Sequence, residues 1–317
     1  MNTNQQISVY ISIILSIAGI IGNGINIFVF TSEVTYCKTP CTFYFLVSSI
    51  SNLFFIIIAL SNRILNAIYG IDYTLISNIW CKTRQFSLVV FNMISITCLC
   101  FASIDQFLVT SRNHSLRRRS QIKWSYRIVL ITIILWISNG IPILIYQNIS
   151  LSIGFCMPTN STYAILTSVF FLVFMSIIPI LIMTLFGWLT YRNIQRTIVL
   201  LDQNVDQQLV TMTFIQILLV IVSFLPYGFY MLYIFITTDW ILNAYQLYID
   251  DTISTIVNLI VNLFNNVCFF VNSFNNKVTL NIFQGNCYVF LLSSRRFRQT
   301  VKRRLFCWQR HNQIGVE

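Results

Sequence analysis

Charge is what this sequence most lacks. Only 9% of its 317 residues are Asp, Glu, Lys or Arg, against about 25% in a typical soluble domain. With 56% of residues hydrophobic and a mean hydropathy of +0.73, the chain cannot clothe a water-facing surface. Lipid must be the solvent for most of it. Histidine is nearly missing as well: His114 and His311 are the two, each inside a basic stretch. The nine cysteines form no CxxC pair. That inventory builds no metal cluster, and nothing in it calls for a cofactor.

Uncharged runs are what the sequence has in quantity. A hydrocarbon core of about 30 Å takes about 20 helical residues to cross. Seven runs without Asp, Glu, Lys or Arg meet that length: Ile7–Phe30, Phe43–Leu60, Gln85–Ile104, Ile128–Gln147, Tyr163–Tyr191, Leu209–Thr238 and Thr252–Asn276. An eighth stretch, Val278–Leu292, is shorter and broken by Asn281, Gly285 and Asn286. It fits an extension of the seventh helix, a re-entrant piece or an interfacial segment. The sequence therefore predicts an all-α membrane protein, with a seven-helix bundle over 7–293, a short N-terminal segment at 1–6 and a tail at 294–317.

The few charges are placed informatively. Sixteen Lys and Arg fall on one side of the seven runs, chiefly between Arg112 and Arg127 and between Arg295 and Arg310. The other side holds Arg63, Lys82 and Arg84. By the positive-inside rule the N-terminus and the second of these groups lie outside, at the plasma membrane. Basic residues that abut apolar spans meet anionic headgroups, so the net charge of +11 points to membrane lipid and away from nucleic acid. The first cation, Lys38, follows the first span, which is the reverse of a cleaved signal peptide. Asn148-Ile-Ser and Asn160-Ser-Thr fall outside and are glycosylation candidates, whereas Asn113-His-Ser falls inside. In the tail, Phe297, Val301 and Leu305 recur every four residues among Arg and Lys. That pattern predicts an amphipathic helix on the inner membrane surface, ending at Cys307, either a palmitoylation site or a free thiol.

Several residues carry a family resemblance. Gly22-Asn23 stands in the first span, and Trp80-Cys81 opens the third. Asp105-Gln106-Phe107 lies 24 residues after Cys81, about 36 Å along a helix and so at the opposite membrane face. Trp136, Pro179 and Ser223-Phe224-Leu225-Pro226 follow in the fourth, fifth and sixth spans. In order and spacing these resemble the rhodopsin-type G-protein-coupled receptors over about residues 7 to 307. The resemblance implies a Cys81–Cys156 disulfide, an extracellular peptide or small-molecule ligand, and a heterotrimeric G protein met by Asp105, Gln106 and Arg112. It also implies a switch network through Asn23, Asn52, Ser95, Pro226 and Asn266.

The departures from that pattern are specific. Gln106 replaces the Arg of the inner triplet, which removes any ionic latch to Asp206. Asn52 stands where the family has an Asp, taking away the charge that attracts a sodium ion, and Gly187 stands where it has a Tyr. The seventh-span motif has two registers, Asn266-Val-Cys-Phe-Phe and Asn286-Cys-Tyr-Val-Phe, and neither contains Pro or Tyr. The favoured register is Asn266, with 271–290 then either an insertion or an intron read as coding sequence. Leu88 occupies the place of the amine-receptor Asp, and Lys277 suits neither register for a retinal Schiff base. What remains is an uncharged, aromatic pocket of Gln85, Leu88, Asn92, Phe224, Tyr227 and Met231. Asp239, Asp250 and Asp251 outside it suggest a basic or amidated neuropeptide-like ligand, or else a solvated loop.

Other classes fare worse. An intramembrane enzyme needs His, paired acids or metal ligands in its spans, and these spans hold no His and no acid. A transporter shows related halves and charged broken helices, of which there is no sign. A seven-helix chemoreceptor of another family, or a receptor-like protein that does not couple, is the alternative.

Overall fold

The computed structural model describes residues 3–32, 39–69, 76–149, 156–158, 160–195 and 204–237, with further positions between 249 and 264. Helices α1 (Thr3–Ser32), α2 (Pro40–Tyr69) and α3 (Asn78–Thr110) are followed by one short turn, α4 (His114–Arg117), and by α5 (Ile122–Tyr146). Strands β1 (Gln147–Ile149) and β2 (Cys156–Pro158) pair antiparallel, with Asn148 opposite Met157. Then come α6 (Ser161–Phe171), a π-helical segment (Leu172–Ile177), α7 (Ile178–Gln195) and α8 (Asn204–Thr237). Among the described residues six helices are long and apolar enough to cross a membrane, α6 to α7 counting as one. They coincide with the first six uncharged runs.

The helices outrun those runs at their ends. Helix α3 extends past Gln85–Ile104 to include Lys82, Arg84 and Asp105. Its start is fixed by Ser77, whose Oγ accepts from the backbone N–H of Trp80. Helical hydrogen bonding continues into the headgroup region, where charged side chains are tolerated, so the limit of charge is not the limit of helix.

Helix α3 is the axis of the bundle. Met93, Ile94, Ser95 and Ile96 are all buried, which one turn of helix achieves only when neighbours surround it. Helix α5 is the opposite case. It buries Ser125, Val129, Thr132, Trp136, Gly140 and Ile143 on one stripe and exposes Leu130, Ile131, Ile134 and Ile141 to lipid. Lipid is as apolar as those side chains, so interhelical polar contacts assist packing, at about 0.6 kcal/mol each. Ser48 and Ser95 hydroxyls join α2 to α3 at 2.8 Å. The Trp136 indole N–H donates to Thr97 Oγ1 at 2.9 Å, joining α5 to α3. The Asn26 amide donates to Ser49 Oγ at 3.3 Å, joining α1 to α2.

A π segment precedes Pro179. Proline has no N–H to offer and its ring crowds the carbonyl four residues back, here Met175, so the preceding turn widens. Val257, Val261 and Phe264, spaced four and three apart, are helical and buried in the same core. The seventh run beyond Phe264, with Asn266, lies outside the described residues. So do Val278–Leu292 and the tail with Cys307.

Candidate functional site

One end of α3 is covalently anchored. Cys81, in its first turn, is bonded to Cys156 of β2, with the two Cα atoms 5.9 Å apart. The β1–β2 hairpin is held to the bundle by polar contacts as well. The Asn78 amide donates to Asn148 Oδ1 at 3.0 Å, and the Gln147 amide donates to the Cys156 carbonyl at 3.4 Å. Beside them the Trp80 indole N–H donates to Asn62 Oδ1 on α2 at 3.4 Å.

The middle of the bundle brings together part of the expected pocket. Phe224 is fully buried and meets Phe264 edge to face, with ring centroids 5.0 Å apart. Tyr227 shares that core, Met231 packs at its edge, and Asn92 is buried with its amide 4.0 Å from Met175 Sδ. Leu88 goes elsewhere: it packs toward Phe55, Ile56 and Ala59 of α2. Four residues along a helix leave a net rotation of about 40°, which turns Leu88 to a different neighbour from Asn92. Gln85 is partly exposed, nearer the disulfide end.

The π segment also touches α8. Ser176 Oγ donates to the Phe224 carbonyl at 2.9 Å. This approach depends on Gly228, because a Cβ there would collide with Ser176 Oγ and crowd its Cβ at 3.0 Å.

At the far end of α3 lies a buried polar zone. Asp105 is 5% exposed, and its Oδ1 accepts from Ser120 Oγ at 2.6 Å. The backbone N–H of Cys41, at the start of α2, also serves that carboxylate. The neighbouring Gln106 is 2% exposed, and its Oε1 has no partner among the described residues. Thr190 Oγ1 on α7 and both amide atoms of Gln216 on α8 are in the same condition. Over residues 22–276, well over half of the chain, the sequence matches the family described as 7 transmembrane receptor (rhodopsin family). The chain belongs to that family. No curated protein matches it.

Members of this family are receptors and not enzymes, so the site of this receptor is a set of contacts rather than a reaction centre. The Cys81–Cys156 pairing that the resemblance implied is present. Asn23 donates to the Gly19 carbonyl at 2.9 Å, within its own helix. Asn52 is buried and its two amide atoms have no partner among the described residues, because Ser95 bonds Ser48 instead. Pro226 stands inside α8, two residues before Gly228, the residue that faces Ser176 of the π segment. Arg112 is exposed just past α3. Asn160 is exposed and caps α6 through its Oδ1, which accepts from Thr162 N–H at 2.9 Å. Asn148 is half-buried in β1. Of the three outer acids, Asp250 accepts from the Tyr233 hydroxyl at 3.0 Å, while Asp239 and Asp251 lie outside the described residues.

Sequence reasoning missed Ser120, Ser176 and Gly228. Ser120 is separated from Asp105 by the turn α4, and no local pattern pairs them. Pro179 was the available signal for the π segment that presents Ser176. A prediction follows for the first of these. Ser120→Ala leaves a buried carboxylate short of one donor, which typically costs about 1–3 kcal/mol. Thermal unfolding of the purified receptor is expected to shift downward by several degrees, and Ser120→Thr, which keeps the hydroxyl, is expected to restore most of it.

Proposed function

We propose that this protein is a G-protein-coupled receptor of the plasma membrane. Its N-terminus is extracellular, and it has seven spans and a basic amphipathic helix in the 294–317 tail. The observation that carries this reading is the build of α3. A disulfide-tied hairpin sits at one end, a buried Asp105–Gln106 pair at the other, and the aromatic contact of Phe224 with Phe264 between them. A ligand bound near Asn92, Tyr227 and Met231 would bias the packing of α8 against α3 and α7, and a G protein would read the result at Asp105, Gln106 and Arg112. The uncharged, aromatic lining and the acidic Asp250 favour a neuropeptide-like ligand. Cells expressing the receptor, challenged with amidated peptides in a second-messenger assay, test coupling and ligand class together.

Orientation has its own test. An epitope at the N-terminus is expected to be reachable on intact cells, and one after Glu317 only after permeabilisation. The reverse pattern would overturn the topology and the positions assigned to ligand and G protein.

A second reading, a receptor that binds without coupling, is favoured by one residue. Gln106 carries no charge, so the inner end of α3 has an amide where coupling members have a cation. Gln106→Arg is expected to pair with Asp206 and lower ligand-independent signalling, because it supplies the cation that the neutral amide lacks. Unchanged basal activity at matched surface expression would count against the latch. Silence of both forms with every G protein would support the non-coupling reading.

A further inference from the structure

We propose that Ser120 is a phosphorylation site for an arginine-directed serine kinase, and that the phosphate releases the 118–121 turn from its clasp on α3. Arg117, Arg118 and Arg119 precede Ser120 directly, so a cation stands at each of the three positions before the hydroxyl. All three are exposed, and Ser120 itself is half-buried. Other arginines at this face lie over indole rings, Arg127 at 5.3 Å from the Trp124 centroid and Arg192 at 4.7 Å from Trp188. The triplet instead presents its charge outward. A kinase groove lined with carboxylates takes such guanidinium groups by paired, charge-assisted hydrogen bonds. The backbone suits the same partner. Ser120 lies between α4 and α5 and belongs to neither, and Gln121 beside it is extended at φ −110 to −130°, with ψ 134°. The Ser120 N–H donates to the Arg117 carbonyl at 3.3 Å, a long bond and a weak tie for an enzyme that binds its substrate extended. The site rests on the orientation proposed above, which sets this loop in the cytosol beside ATP.

In the transfer, Ser120 Oγ attacks the γ-phosphorus of ATP. The Oγ–P bond forms, the bond from that phosphorus to the β,γ-bridging oxygen breaks, and ADP leaves. The hydroxyl proton passes to the kinase's general base and then to water. Asp105 sets the consequence. Before transfer Ser120 Oγ donates to Asp105 Oδ1 at 2.6 Å, and that carboxylate is buried. Afterwards Oγ has no proton to donate, and a group of about −1.5 to −2 charge stands where the donor was. Two anions so close repel strongly where little water screens them. Attraction acts from the other side. Arg118 and Arg119 offer guanidinium donors, and α5 begins two residues after Ser120. Gln121, at the N-cap position of α5, makes no side-chain cap bond, so the positive end of this 25-residue helix is open to an anion. Repulsion from α3 and attraction to α5 act in the same direction, and the turn moves off α3. Asp105 then keeps the Cys41 N–H. Ser115, in the same loop, is the weaker candidate: of the three residues before it, Arg112 alone is a Lys or Arg.

The test treats the full-length receptor in detergent micelles with the catalytic subunit of cyclic-AMP-dependent protein kinase, an arginine-directed enzyme, and ATP with Mg²⁺. Mass spectrometry locates the phosphate. Stoichiometric phosphate on Ser120 is expected, well ahead of any on Ser115. The double variant Arg117→Ala, Arg118→Ala keeps the Ser120 hydroxyl and is expected to lower the initial rate at least about tenfold. Ser120→Ala is expected to lose the label. Because that change also loosens the fold, Ser120→Thr, which retains an acceptor hydroxyl, is expected to take the label in its place. In the phosphorylated receptor, amide hydrogen exchange is expected to rise over 112–121 and fall over 122–125, and phosphatase to restore both. Phosphate confined to other residues, or an unchanged rate in the double-arginine variant, would overturn the site. Unchanged exchange over 112–121 would overturn the release of the turn. In cells, raised cyclic AMP is expected to put phosphate on Ser120. Its absence where the N-terminal epitope is reachable from outside would overturn the proposal. An epitope reachable only after permeabilisation would instead overturn the orientation and leave the micelle result standing.

Discussion

Cys81→Ser and Cys156→Ser are each expected to remove most of the receptor from the cell surface and to lower its unfolding temperature by about 5–10 °C. The bridge closes a segment of 75 residues. Loop-closure entropy for that length gives about 4–5 kcal/mol, and native disulfides typically return about 2–5 kcal/mol. The lower half of that range applies here, because spans held in a bilayer are already restricted before the bridge forms. The structural consequence is local. Without the bond the β1–β2 hairpin keeps only contacts such as Asn78–Asn148, each a modest hydrogen bond. The double variant is expected to be no worse than either single one, since each already breaks the same bond. Additive losses, or two free thiols in the unreduced protein by mass spectrometry, would refute the pairing.

The second large effect is expected at Gly228, and its sign makes the test sharp. Glycine inside a helix is worth about 1 kcal/mol less than alanine, so in open space Gly228→Ala would stabilise α8. Here the new Cβ would meet both Oγ and Cβ of Ser176, and the π segment must move away. Overpacking of this kind costs about 1–3 kcal/mol, and the displaced Ser176 hydroxyl also loses the Phe224 carbonyl, about 0.6 kcal/mol more. The net expectation is destabilisation, larger for Gly228→Val than for Gly228→Ala. Combining Gly228→Ala with Ser176→Gly vacates the contested space, so the pair is expected to be markedly less harmful than the sum of its parts. Thermal unfolding of the four forms completes the cycle. A rise in Tm for Gly228→Ala alone would show that α8 and the π segment do not pack as described.

Much of this protein was legible before any coordinates. The scarcity of charge, the lengths of the uncharged runs and the placement of Lys and Arg are properties of single segments. A bilayer acts on each segment separately: backbone groups in hydrocarbon must be satisfied within the helix, and charges must stay at the ends. The first six spans were therefore fixed by composition and length, and the Cys81–Cys156 pair by its family resemblance. What only the tertiary structure decided is which face of each helix looks inward. In water the buried stripe is apolar and the exposed one polar, but in lipid both are apolar, and that contrast is lost. On α5, Val129 and Ile143 point into the bundle while Leu130 and Ile141 point into lipid, and nothing in their chemistry separates them. The same loss of contrast hid the turn of Leu88 toward α2 and the approach of Ser176 to Gly228. The pairing of Ser120 with Asp105 was hidden for another reason. It spans 15 residues of loop and turn, and only the folded chain sets the distance between them.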